Sequence, residues 1–393
     1  MLSRIVAAIL PALVLTSALA QEEPPRLRTL LRNGSILEVE NMPKAKVASV
    51  QLFASSLKVP DNPENHGLKH LLEHLVLKGQ NKDLDEKMES QGMFFTGRTL
   101  RDAMQIEVTC APEQIPIAID FLKELLKPVN IKQQDITNEI RVMKQEHALQ
   151  SDPDRLGTAE WMIAYGDRGI DPFGDLNVMT NATPDSIQKF QSELFAADNL
   201  VLVVDGPLDI EGVTKFGKNF LSTCTGKTAT VPDPRPAGTP GRLELENAFG
   251  EARAARVGGF KDRNTAWALA AALALASQVK QVFVTYTPSS DNGLVILGQT
   301  NANSGMGLMI DALQPGDMSA LFPVGKALAK RWVERQLQDP SLNAYLRGVL
   351  LCQGANYKPE ELLDSIDQMT WQDFFKGVQM FNKFNCDIVV GIR

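Results

Sequence analysis

Histidine is scarce in this 393-residue chain, which holds only His66, His70, His74 and His147. Cysteine is as rare: Cys110, Cys224, Cys352 and Cys386 are scattered along the sequence, and thiols so spread do not make a metal cluster. Basic tracts are absent and the net charge is −7, with a pI near 5.3, which argues against nucleic acid as a partner. There is no short-period repeat and no low-complexity tract. What is present, 44% hydrophobic and 22% charged residues, is the composition of a soluble globular protein. At this length two domains are the natural expectation.

Residues 1–20 combine Arg4, an apolar run over 5–15 broken by Pro11, and Ala18-Leu19-Ala20. A charged start, a short apolar stretch and an A-x-A site read as a secretory signal. The run is too short for a comfortable membrane span, although an uncleaved anchor is the alternative. No cysteine follows Ala20, so a lipid anchor is not supported. The mature chain is expected to begin near Gln21 and to work outside the cytoplasm, in the periplasm of a Gram-negative bacterium or secreted, with no stable membrane anchor. Export permits disulfides. The sequence does not choose among the three possible pairings, although Cys352 and Cys386, both in the second half, are the preferred pair.

Three of the four histidines lie close together, and His70-Leu71-Leu72-Glu73-His74 sits within residues 65–79. On a helix, His70 and His74 project from one face, one turn apart, and can reach a single tetrahedral metal ion. Glu73 can flank that metal without ligating it. The order H-x-x-E-H inverts the zinc-protease motif H-E-x-x-H. Zinc on three protein ligands with an open fourth position is a hydrolytic site. The competing reading is a helix that buries Leu71, Leu72 and Leu75 and turns two histidines to its polar side. His66 is either a fourth ligand of a closed structural site or a surface histidine at the helix cap; His147 reads as structural.

A third ligand is expected from residues 133–150, a helical stretch with Glu139 and Glu146 two turns apart on one side. Glu146 is the expected ligand, and Glu139 the carboxylate that holds a histidine ring or the water network. Two solvent-facing glutamates are the alternative. Around these helices, residues 28–56 are β-like, with a hairpin turn at Asn33-Gly34. Asn65 is expected to cap the motif helix. A helix at Leu84–Ser90, a strand over 94–110 and a helix over 115–126 follow. Then come helices over 155–165 and 184–195, the loop Asp171-Pro172-Phe173-Gly174 between them, and a strand over 200–204. Residues 227–241, with Pro232, Pro234, Pro236 and Pro240, read as a linker between domains at 21–226 and 242–393. The second unit is expected to hold an alanine-rich helix near 264–277 and a strand pair at 282–287 and 293–298. Two or three helices between 322 and 382 and a last strand over 387–392 complete it.

These landmarks together resemble the pitrilysin (insulinase) family of inverted-motif zinc peptidases. The resemblance runs over about residues 31–209. It rests on Leu31-Arg32-Asn33-Gly34, on Gly67 to His74 with Lys78-Gly79, on the E-x6-E pair Glu139 and Glu146, on residues 171–174, and on Asn199 with its following strand. It implies an α+β fold of two related domains, each a mainly antiparallel sheet with helices on one face. It also implies one zinc per chain, and a peptide substrate added as a strand to a sheet edge near 93–97, touching Phe95, Thr96 and Gly97. Thr96-Gly97 stands where the family commonly carries Asn-Ala. Tyr286 could be the tyrosine that relatives place opposite the zinc, but Val279 stands where their arginine would be, and Lys280 is the nearest cation.

The implied activity is that of an exported zinc endopeptidase or oligopeptidase with Glu73 as general base. The missing arginine further implies a homodimer, or a heterodimer with a homologous subunit that completes the site. The rivals are a non-catalytic structural subunit and a zinc-dependent peptide binder. Retention of every zinc-site element speaks against the first, and Glu73, useless to a binder, against the second.

Overall fold

Strands in this chain are dense in valine, isoleucine, leucine and alanine, and several are buried on both faces, as happens when a sheet is covered from both sides. A computed structural model describes residues 26–79, 84–128, 130–169, 171–228, 238–300, 305–355, 358 and 360–392. The expected signal segment and all but the ends of the proline-rich stretch lie outside them. The first half supplies β1 (Arg26–Leu30), β2 (Ile36–Asn41), β3 (Ala48–Ser55), β4 (Phe94–Thr99), β5 (Ala103–Cys110) and β6 (Leu200–Gly206). They form one sheet in the order β1-β2-β6-β3-β5-β4. The second half supplies β7 (Arg242–Glu246), β8 (Gly250–Val257), β9 (Val282–Tyr286), β10 (Gly293–Gln299) and β11 (Asp387–Ile392), ordered β7-β11-β8-β10-β9.

Apart from β1, the two sheets share one topology. The β2–β6 and β7–β11 pairs are parallel and every other pair is antiparallel. The fold is therefore α+β with two related sheets, each mainly antiparallel. On the main face of the first sheet, Leu68–His74, Ile115–Leu125 and Ile210–Ser222 bury their apolar sides. Arg263–Ala276 does the same for the second, backed by Leu321–Gln338 and Trp371–Gln379.

Each half's own helices lie on one face of its sheet, as expected, and the other face is covered by a helix from the other half. Asp152–Tyr165, from the first half, lies across β8, β10 and β11, packing Leu156, Trp161 and Ala164 on Ala252, Leu294 and Val389. Pro340–Cys352, from the second half, lies across β3 and β6, packing Ala344, Val349 and Leu351 on Phe53, Val201 and Val203. Each half thus lends the other one crossing helix.

Beside this apolar packing, the interface under the second crossing helix carries an ion network. Arg347, with no exposed surface, meets Glu38 at 2.6 Å, Glu40 at 3.3 Å, and Asp205. Arg28 pairs with Glu38, and Arg26 with Glu40 at 2.8 Å. Three guanidinium groups thus balance three carboxylates, as buried charge requires.

Several local expectations change. Residues 94–110 are two antiparallel strands joined by a tight turn, not one strand. β7 and β8 were not anticipated, and four helices rather than two or three run between Leu321 and Gln379. All four cysteines are free thiols, so the Cys352–Cys386 disulfide does not form. Cys352 ends a helix packed on the first sheet, whereas Cys386 precedes a strand of the second. Arg347→Ala should destabilise the protein by about 3–5 kcal/mol, because it strands buried carboxylates. Urea unfolding measures this; an unchanged midpoint would mean the ion network does not hold the halves together.

Candidate metal centre

The motif helix Leu68–His74 is anchored by Leu71 and Leu72, both fully buried, and continues at Leu75 into a wider turn, Leu75–Gly79. Its start is not capped by Asn65, whose side chain accepts a hydrogen bond from Asn62 N instead. Gly67 takes the cap position at φ 100°. Gly174 presses on it so closely that a Cβ there would lie 2.1 Å from Gly67 Cα. Close approach of two main chains, rather than a side-chain cap, sets where the helix begins.

Beside it runs the helix Gln133–Ala148, which buries Ile136, Ile140 and Met143 and carries Glu139 and Glu146 along one stripe. The two helices bring their polar sides together. His74 Nε2 and His70 Nε2 are 3.3 Å apart. Glu146 Oε2 is 3.2 Å from His74 Nε2 and 3.8 Å from His70 Nε2. His70, His74 and Glu146 are the one group of metal-capable side chains among the described residues.

The other ring nitrogens are engaged. His70 Nδ1 donates to Phe173 O at 3.2 Å, and His74 Nδ1 donates to Glu139 Oε2 at 3.1 Å. Those bonds select the tautomers that leave each Nε2 lone pair free and aimed at a common point. Burial, and then the neighbouring His74, push the pKa of His70 down to about 4, so this ring is neutral at neutral pH and able to ligate. Two such lone pairs facing each other repel unless a cation lies between them. Tetrahedral ligands about 2.0–2.1 Å from zinc stand roughly 3.3 Å from one another, close to the separations seen here. The donor set fits zinc.

His66 is not part of this group: its Nε2 meets Asp171 O at 2.9 Å. His147 stacks on Phe173, ring centroids 4.6 Å apart. Both hold the 171–174 loop that presents Phe173 O to His70. That main-chain acceptor has no sequence signature beyond the loop itself.

Glu73 lines the same cleft, of about 550 Å³, as His70, His74 and Glu146. The cleft's far wall is β4, which ends the sheet and, among the described residues, pairs only with β5. Phe95, Thr96 and Gly97 line it; Tyr286 does not. Tyr286 lies on β9 and packs on Trp332, 5.9 Å between centroids. Thr99, Arg98 and Glu89 also line the cleft and escaped notice in the sequence, where nothing sets them apart from ordinary strand and surface residues.

Fold and site define a zinc-peptidase-like protein, and the comparisons agree. The sequence model of the insulinase family (peptidase family M16) matches residues 37–161. The beta subunit of the Saccharomyces cerevisiae mitochondrial-processing peptidase is 23% identical over 234 residues, 58% of this chain and 50% of that protein. An uncharacterized zinc protease of Rickettsia bellii is 24% identical over 203 residues, 50% of this chain and 49% of that protein. The chain spans about half the length of the curated relatives it matches. A protease from Helicobacter pylori shares the fold with a TM-score of 0.78 over 94% of this chain and all of that one, at 16% identity. An M16-like peptidase from Alicyclobacillus acidocaldarius does so at 0.72 over 94% and 99%, with 13% identity. Residues 37–161 thus carry the match to the insulinase-family domain.

Zinc titration should give one tight site per chain. His74→Ala should abolish it, and Glu139→Gln should weaken it about 10- to 100-fold. Calorimetry and elemental analysis measure both; unchanged affinity in His74→Ala would place the metal elsewhere.

Proposed function

We propose that this protein is an exported zinc-dependent endopeptidase or oligopeptidase acting on peptides or unfolded segments. The reading rests above all on one observation: three converging donors share a cleft with a fourth side chain, Glu73, and with an open sheet edge. His70, His74 and Glu146 would hold the metal, and Glu139 would keep His74 in the ligating tautomer. A bound zinc ion supplies Lewis acidity at the scissile carbonyl and a lowered pKa for water.

The chain's own groups do the rest. Glu73 accepts a proton from the attacking water and later delivers it to the leaving amine. No covalent enzyme intermediate is needed. The edge of β4 with which no other described strand pairs can receive an extended peptide through main-chain hydrogen bonds, which recognise a strand rather than a particular side chain. Folded substrates have no free strand to offer, hence peptides and unfolded segments.

A homologous second subunit, or a second copy, would complete the site. Two points support this: Tyr286 stands away from the cleft, and a relative is by name the beta subunit of a processing peptidase. Export follows from the reading of residues 1–20, with the mature protein in the periplasm or secreted.

Incubating purified protein with unstructured peptides, with and without chelator, tests the reading. Zinc-dependent cleavage is expected, and Glu73→Gln should retain zinc yet lose about 10²- to 10⁴-fold in turnover. Glu73→Gln cutting at the wild-type rate would contradict the mechanism. Absence of cleavage alone and with any co-exported homologue would favour a non-catalytic subunit.

A further inference from the structure

We infer that Thr99 is a positioning residue that holds the Glu73 carboxylate against the edge strand, an assignment that rests on the proposed peptidase reading. Thr99 Oγ1 donates to Glu73 Oε2 at 2.7 Å, the length of a charge-assisted hydroxyl–carboxylate bond. Residues 95, 97 and 99 share one face of β4, and Phe95 on that face packs on Phe121 in the core, ring centroids 4.9 Å apart. The face is therefore turned toward the motif helix.

Gly97 makes the approach possible. A Cβ at that position would stand 2.7 Å from Glu73 Oε1 and 2.2 Å from Leu77 Cδ1. The carboxylate consequently lies along the strand, with Oε2 on the Thr99 hydroxyl and Oε1 over Gly97. Oε2 is thereby committed to orientation. A glutamate side chain has three rotatable bonds and loses entropy when fixed. A bond from a rigid neighbour fixes it before substrate arrives.

The neighbour is rigid. Leu100 N donates to Ala103 O at 2.8 Å, closing the turn directly after Thr99. Arg101 lies over the Trp161 ring, 4.6 Å from its centroid, on the first crossing helix. Asp102 O accepts from Ser56 N at 2.9 Å, and its carboxylate from Gln353 Nε2 at 3.2 Å, just past the second crossing helix. The hairpin that presents the Thr99 hydroxyl is thus pinned by both halves of the molecule.

Thr99→Val removes the hydroxyl and keeps the shape; Thr99→Ser restores the donor. In the zinc-loaded enzyme, Thr99→Val should lower kcat about 10- to 100-fold with KM within about twofold of wild type. Thr99→Ser should recover most of kcat. Zinc affinity by calorimetry should be unchanged in both, since neither touches a donor. A crystal structure of Thr99→Val should show the Glu73 carboxylate turned away from β4, a readout that does not require the wild type to be active. Glu73 in its original place, or Thr99→Val with wild-type kcat, would overturn the inference. If wild type cleaves nothing while Glu73 still swings away in Thr99→Val, the peptidase reading fails and the positioning role stands.

Discussion

Two imidazole nitrogens with their lone pairs turned toward each other at 3.3 Å repel unless a cation lies between them. Each ring is held there by its other nitrogen: one by a main-chain carbonyl of the 171–174 loop, the other by Glu139. Glu146 adds negative charge at the same point. Such a cluster makes sense as the receptor for a cation, and the surrounding structure is arranged to keep it assembled. The leucine side of the motif helix is clamped in the core, and Gly67 and Gly174 meet main chain to main chain. The second helix lies alongside with its carboxylates in register.

The same logic extends outward. A site on the edge of one sheet would move with every shift of that sheet against the other. The exchanged helices oppose this, because each sheet is sandwiched between its own helices and one from the other half. The arginine–carboxylate network under Pro340–Cys352 adds a directional fit that apolar packing lacks. The β4–β5 turn, adjoining the cleft, is tied to both crossing segments through Trp161 and Gln353. Architecture and site are linked through that hairpin.

Much of this was legible in the sequence for a definite reason. Helical spacing alone brings His70 over His74 and aligns Glu139 with Glu146, and strand patterning finds the first sheet's strands and three of the five in the second. What stayed hidden was whatever depends on the partner rather than on the residue. Burial of both faces of β3 and β6 tells that something covers them, not that the cover comes from residues 340–352. Phe173 acts through its carbonyl, which every residue has. Asn65 is a good cap by type, yet the packing of Gly67 against Gly174 decides the helix start. The single strand expected over 94–110 ignored a three-residue turn that carries no glycine or proline. Export chemistry allowed a disulfide, but Cys352 and Cys386 belong to elements on different sheets.

X-ray absorption at the zinc edge of the metal-loaded protein tests the central claim most directly. The expected first shell holds two imidazole nitrogens and oxygen at about 2.0–2.1 Å, with no sulfur. A shell containing thiolate, or one with fewer than two imidazoles, would contradict the assignment of His70, His74 and Glu146 as the donors on which the whole reading stands.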